Sequence, residues 1–282
     1  MVDMEHQPLH SIGVFAASQE DADRQVEAVQ RCAATLLKRH PFLSLDALDR
    51  LVIGHDYLDA MHVYLADGRA HLSERYIEKA MYSLAHVLPT QAGIAVIVHP
   101  DVLLALQSTE PVQQVKGQRI LMHELCHVHD LGLQRLWLMQ HTQGNTDVCR
   151  TFRACFPLWS EYFANRYSYA EGSDQSDEWM RLDNLLQPFE QLEPGFAVGQ
   201  TVQRFGYVLG GLAGQGVDLQ DVRPDLVPRL HASGLWDAWR EAQAMTAWLT
   251  ETGACWINAQ GVISLQGTVE QIREVCWQRC KG

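Results

Sequence analysis

Residues 119–130, Arg-Ile-Leu-Met-His-Glu-Leu-Cys-His-Val-His-Asp, set three histidines and two acids into an otherwise apolar run. The punctuation around them is that of a helix: Ser108 or Thr109 stands at an N-cap, Pro111 in the first turn and Gly132 just past the end. A short β-branched strand, Ile94–Val98, bracketed by Gly93 and Pro100, precedes it. A chain that buries such a helix must find partners for its imidazoles and carboxylates, because a polar group taken out of water alone is costly. Whether those partners include a metal decides what can be built around the helix.

His123 and His127 are four residues apart. Four residues of α-helix turn through about 400°, so the imidazoles lie about 40° apart and one turn of ~6 Å along the axis. From that separation two ring nitrogens converge on one zinc at roughly 2.0–2.1 Å. Glu124 is displaced by one residue and reaches a water held by the metal without becoming a ligand. In this His-Glu-x-x-His arrangement the metal acidifies the water and the glutamate takes its proton. The bland alternative is a pair of core histidines with ordinary hydrogen bonds.

A catalytic zinc needs three protein ligands and an open position. The third candidate is Glu161, on an expected helix running from about Pro157 to Gly172, where Trp159, Tyr162 and Phe163 surround it. An unpaired carboxylate among aromatics would be costly to bury, and ligation removes the difficulty. Asn165, four residues on, lies on the same face, where its side-chain oxygen can accept the free N–H of a liganding histidine, His123 first among them. The competing view of Glu161 is a surface acid paired with Arg166 or Arg153.

His123-Glu124-x-x-His127 followed by Glu161-x-x-Ala164-Asn165 resembles the gluzincin branch of the zincin metallopeptidases. The resemblance covers about residues 45–170 and rests on a handful of positions. It implies a zinc held by His123, His127 and Glu161, with Glu124 as general base and Asn165 supporting a histidine. Gluzincins often carry Asp where Asn165 stands, which makes that support neutral here. The 33-residue gap between His127 and Glu161 fits a family with variable gaps. In zincins an edge strand lines the cleft and pairs with extended substrate, so Ile94–Val98 and, with less weight, His99 are the substrate-binding expectation. The family's oxyanion donor is commonly Tyr, His or Arg; Tyr167, Tyr169 and Tyr207 are all available and nothing in the sequence chooses.

Rival ligands are weaker. His129 and Asp130 follow His127 so closely that they are expected on other faces of the helix. A third histidine six residues after the motif is ruled out by Leu133, His141 reads as a solvated loop residue, and Cys126 should point into packing. Cys276 and Cys280, four apart, lack a clear fourth partner for a second metal with Cys255.

The remaining chain bounds these readings. With 282 residues, 47% hydrophobic and 20% charged, it buries a sizeable core. A net charge of −12 without a basic stripe argues against nucleic acid, and no apolar run approaches the ~20 residues that span a bilayer. Seven scattered cysteines and no convincing signal segment suit a reducing cytoplasm. An amphipathic helix is expected over 19–39, a β-like core at Leu51–Ile53, a strand and turn at Asp67-Gly68, and a second helix over 73–89. "SDQSDEWM" is a polar break, after which the chain reads as mainly helical, with glycine interruptions at "GYVLGGLAGQG" ascribed to helix packing and a β-like "GACWINAQGVISL".

The expectation is thus an α+β, zincin-like fold, a small mixed sheet packed on an active-site helix. Residues 1–172 form the catalytic domain and 173–282 a mainly helical C-terminal lobe able to engage a protein partner. Its function would be zinc-dependent hydrolysis of peptide bonds in a protein or peptide substrate. The alternative is a zincin-fold binding or regulatory module with a structural or non-proteolytic zinc.

Overall fold

The computed structural model describes residues 9, 12–14, 18–53, 57, 84–141, 146–169, 182, 184–251 and 259–279. Among the described residues the chain is α+β, dominated by helices with a four-stranded mixed sheet. Its contacts divide it into two units. One comprises residues 1–132 with 170–173, the other 133–169 with 174–282.

The first unit holds the sheet, in the order β1-β2-β4-β3. Strands β1 (Ile12–Val14), β2 (Leu48–Ile53) and β4 (Ile94–Val98) run parallel, and β3 (Ala85–Pro89) is antiparallel to β4. Parallel neighbours need a crossover, and helix α1 (Gln19–Arg39) provides it between β1 and β2. Ser18 caps α1 by accepting from the Asp21 N–H, acids fill the first turn and bases the last, and Ala28, Val29, Cys32, Ala33 and Leu36 form the buried stripe. All five residues of β4 are buried, as expected of a strand with neighbours on both sides.

That position corrects one expectation. β4 is interior, so it is not an edge open to an extended substrate; β3 flanks it on one side. The helix expected over 73–89 is also overturned where the structure describes it. Residues 85–89 form β3, because Val87 and Leu88 pair across to Val96 and Ala95 in a hairpin closed by Thr90 and Gly93. The remainder of that helix, and the strand and turn near Asp67-Gly68, lie outside the described residues.

A short helix, α2 (Pro100–Leu106), separates β4 from the long α3 (Pro111–His141). Gly117 lets α3 lie close on α2, since a Cβ there would stand 2.8 Å from the Leu106 nitrogen. Helix α3 does not stop before Gly132 but continues to His141, which is therefore its last residue and not in a loop. Gly132 is there for close packing: a Cβ on it would sit 2.7 Å from that of Ala47, and its φ is not positive.

The described residues of the second unit are helical. Helix α4 (Thr146–Ser168) begins eleven residues before Pro157, which lies inside it. It is followed by α5 (Gln187–Gln191), α6 (Pro194–Gln215), α7 (Leu219–Val222), α8 (Leu226–Ala232), α9 (Trp236–Glu251), α10 (Ala259–Ile263) and α11 (Gln266–Gln278). The glycines of "GYVLGGLAGQG" do not interrupt α6; Gly206, Gly210 and Gly214 lie on its contact face, as helix packing requires, and Gly216 caps its end. A Cβ on Gly206 would lie 2.0 Å from the Leu158 carbonyl oxygen and one on Gly210 2.3 Å from that of Tyr162. Recurring every four residues, they let the α6 backbone rest on α4. The β-like reading of 253–265 fails at residues 259–263, which form α10, while 252–258 lie outside the described residues. Among the described residues no helix is long and apolar enough to cross a membrane.

Candidate metal centre

Burial along α3 separates two kinds of residue. Leu121, Met122, Leu125, Cys126, Val128, His129 and Asp130 are buried, whereas His123, Glu124 and His127 remain partly exposed. The motif's three polar side chains thus occupy the one part of residues 121–130 that keeps contact with solvent. The helical spacing brings His123 Nε2 and His127 Nε2 to 3.1 Å, with the rings nearly perpendicular at 89°. Two nitrogens bound to one tetrahedral zinc at roughly 2.0–2.1 Å would be about 3.4 Å apart. The pair already stands close to the ligating separation.

The other ring nitrogen of His127 faces inward: Nδ1 lies 3.4 Å from Asp130 Oδ2, and Asp130 is 1% exposed. Asp130 therefore does not project from another face. At i+3 it returns to the side of His127, and this spacing was the signal that could have revealed it. His129 is a core histidine whose Nδ1 accepts the Ser44 backbone N–H at 3.0 Å, with Phe42 edge-on to its ring. Cys126 packs away from solvent, and burial, reinforced by the Asp130 and Glu124 charges, pushes its thiol well above the ordinary range. His86 on β3 is a third imidazole that sequence reasoning passed over. Burial holds its pKa down, a hydrogen bond with Ala85 opposes this, and the charge of His127 adds to the lowering.

Glu161 projects from α4 with partial exposure, and Gln203 of α6 donates Nε2–H to its Oε1 at 2.6 Å. The glycine contact that seats α6 on α4 is what brings this amide within reach. Arg204 is also close enough to feel the Glu161 charge, although burial dominates and lowers its pKa. Arg166 donates instead to the Tyr162 hydroxyl at 2.9 Å. Asn165 is buried and turns its amide N–H onto the Glu161 carbonyl at 2.9 Å, a bond within its own helix. His99 caps α2, its Nδ1 accepting the Asp101 N–H at 3.2 Å, and its ring meets Tyr57 edge-on.

His123, His127 and Glu161 each offer one ligand atom, and all three atoms lie within 4.8 Å of one another. Two imidazole nitrogens and one carboxylate form a set that suits a divalent transition metal and leaves a fourth position open. The residues present therefore fit a metal ion.

Compared with protein-family models, curated proteins and solved structures, the chain finds no match in any of the three.

Proposed function

We propose that this chain is a zincin-like, zinc-dependent metallopeptidase, with His123, His127 and Glu161 holding Zn²⁺ and Glu124 as general base. The observation that carries the reading is the mutual approach of those three ligand atoms. Glu124 follows the first histidine on the partly exposed part of the helix. A purely structural metal would have no need of a carboxylate there.

Zinc in this site would supply Lewis acidity, polarising a substrate carbonyl and making nearby water more acidic. The chain's own work is positional. His123 and His127 are fixed one turn apart by the helix, so their nitrogens need little rearrangement. Gln203 orients one oxygen of Glu161 without adding charge. Glu124 takes a proton from the attacking water and delivers it to the departing amine, a role that asks for a carboxylate open to solvent on one side. The substrate is an extended peptide or unfolded protein. The chain's seven scattered cysteines suit a reducing compartment such as the cytoplasm.

Glu124→Gln tests this. It should keep stoichiometric zinc while cleavage of unfolded casein falls by about 10²–10⁴-fold. Cleavage unchanged in that variant would remove Glu124 from the chemistry. A wild-type protein that binds zinc, unfolds with chelator and never cleaves would instead be a binding module with a structural metal.

A further inference from the structure

Resting on the metal site just proposed, we propose that Asp130 is the positioning residue of His127, fixing which of its ring nitrogens carries the proton. A neutral imidazole exists as two tautomers, and only the nitrogen without a proton can ligate. Here the two nitrogens of His127 have distinct surroundings. Nε2 lies 3.1 Å from His123 Nε2, and Nδ1 lies 3.4 Å from Asp130 Oδ2.

A carboxylate is an acceptor, so it selects the tautomer with the proton on Nδ1 and leaves the Nε2 lone pair aimed at the metal position. Asp130 is held to this task by burial, at 1% exposure. Aspartate is a poor helix former and expensive to bury, so its place in the middle of α3 goes against both local preferences. Pairing with a ligated imidazole offsets that cost, since a metal at Nε2 makes the ring a stronger donor at Nδ1. The adjacent turn is pinned by His129, whose ring accepts the Ser44 N–H, and this limits rotation of the helix about its axis.

The geometry has a consequence for the metal-free protein. If His127 carries its proton on Nδ1, its Nε2 can only accept, and a hydrogen bond between the two Nε2 atoms requires His123 to donate. The two histidines of the motif therefore hold opposite tautomers when no metal is bound: His127 protonated on Nδ1, His123 on Nε2. Metal binding then requires His123, and not His127, to change tautomer or lose a proton.

The test is long-range ¹H–¹⁵N NMR of the histidine rings in metal-free wild-type protein, with zinc affinity of Asp130→Asn measured by chelator competition. The expected spectrum shows His127 as the Nδ1–H form and His123 as the Nε2–H form. The variant should bind zinc about 10–100-fold more weakly and show mixed tautomers at His127. His127 found as the Nε2–H form in the wild type overturns the proposal, and this reading stands even if the variant fails to fold. A wild type with the expected tautomers that binds no zinc would sink the metal reading while leaving the Asp130 contact in place.

Discussion

Helices α3 and α6 both break the simple rule that a buried helix shows an apolar stripe, and they break it in opposite ways. Helix α3 takes polar side chains into its buried part: His129 and Asp130 are both buried, and each has a specific polar partner. Helix α6 gives up side chains at Gly206, Gly210 and Gly214, where its backbone meets Leu158, Tyr162, Arg166 and Tyr169 of α4 and the residue after it. The first departure supplies chemistry, two imidazoles and an acid at fixed spacing. The second supplies proximity, bringing Gln203 to Glu161. Departures from local preference in this chain mark the places where geometry has been bought with stability.

The largest effect is expected at Gly206→Val, where the new side chain would run into the Leu158 carbonyl 2.0 Å from its Cβ. About 3 kcal/mol of stability should be lost, the upper end for overpacking, read as a lower urea midpoint. A variant as stable as wild type would mean that α6 does not rest on α4. Next is His129→Leu, which leaves the part-buried Ser44 N–H without its imidazole acceptor and should cost about 0.5–1.5 kcal/mol. Zinc content should be unaffected, and loss of zinc in a folded variant would contradict a purely structural role for His129. The smallest effect has the opposite sign. Gly199→Ala, on the exposed side of α6 with nothing within 4 Å of its Cβ, should stabilise by about 0.5–1 kcal/mol. Together, Gly206 and Gly199 separate glycines that serve contact from one that serves nothing.

What could be read from the sequence was whatever has a local cause. Helix α1 runs from residue 19 to 39 as its capping serine, terminal charges and apolar stripe require, and β4 matches the β-branched run between Gly93 and Pro100. The motif histidines meet because i,i+4 spacing alone brings them together. What escaped has causes far along the chain. Gly132 looks like a helix terminator but answers to Ala47, 85 residues earlier, so α3 continues past it. Gly216 and Gly234, by contrast, do take positive φ. Residues 85–89 carry helix-compatible periodicity, yet pairing with β4 decides their conformation. Pro157 reads as a helix start, although packing against α6 and α11 accompanies a longer helix around it. Asp130 needed only the i+3 rule, applied from the motif's last histidine to the residue three positions beyond it.

The three-residue metal site is tested most directly by anomalous diffraction at the zinc edge from crystals of the full chain grown with one equivalent of zinc. A single strong peak is expected at about 2.0–2.2 Å from Nε2 of His123, Nε2 of His127 and a carboxylate oxygen of Glu161. A peak bound by other groups, or none near these three, would contradict it.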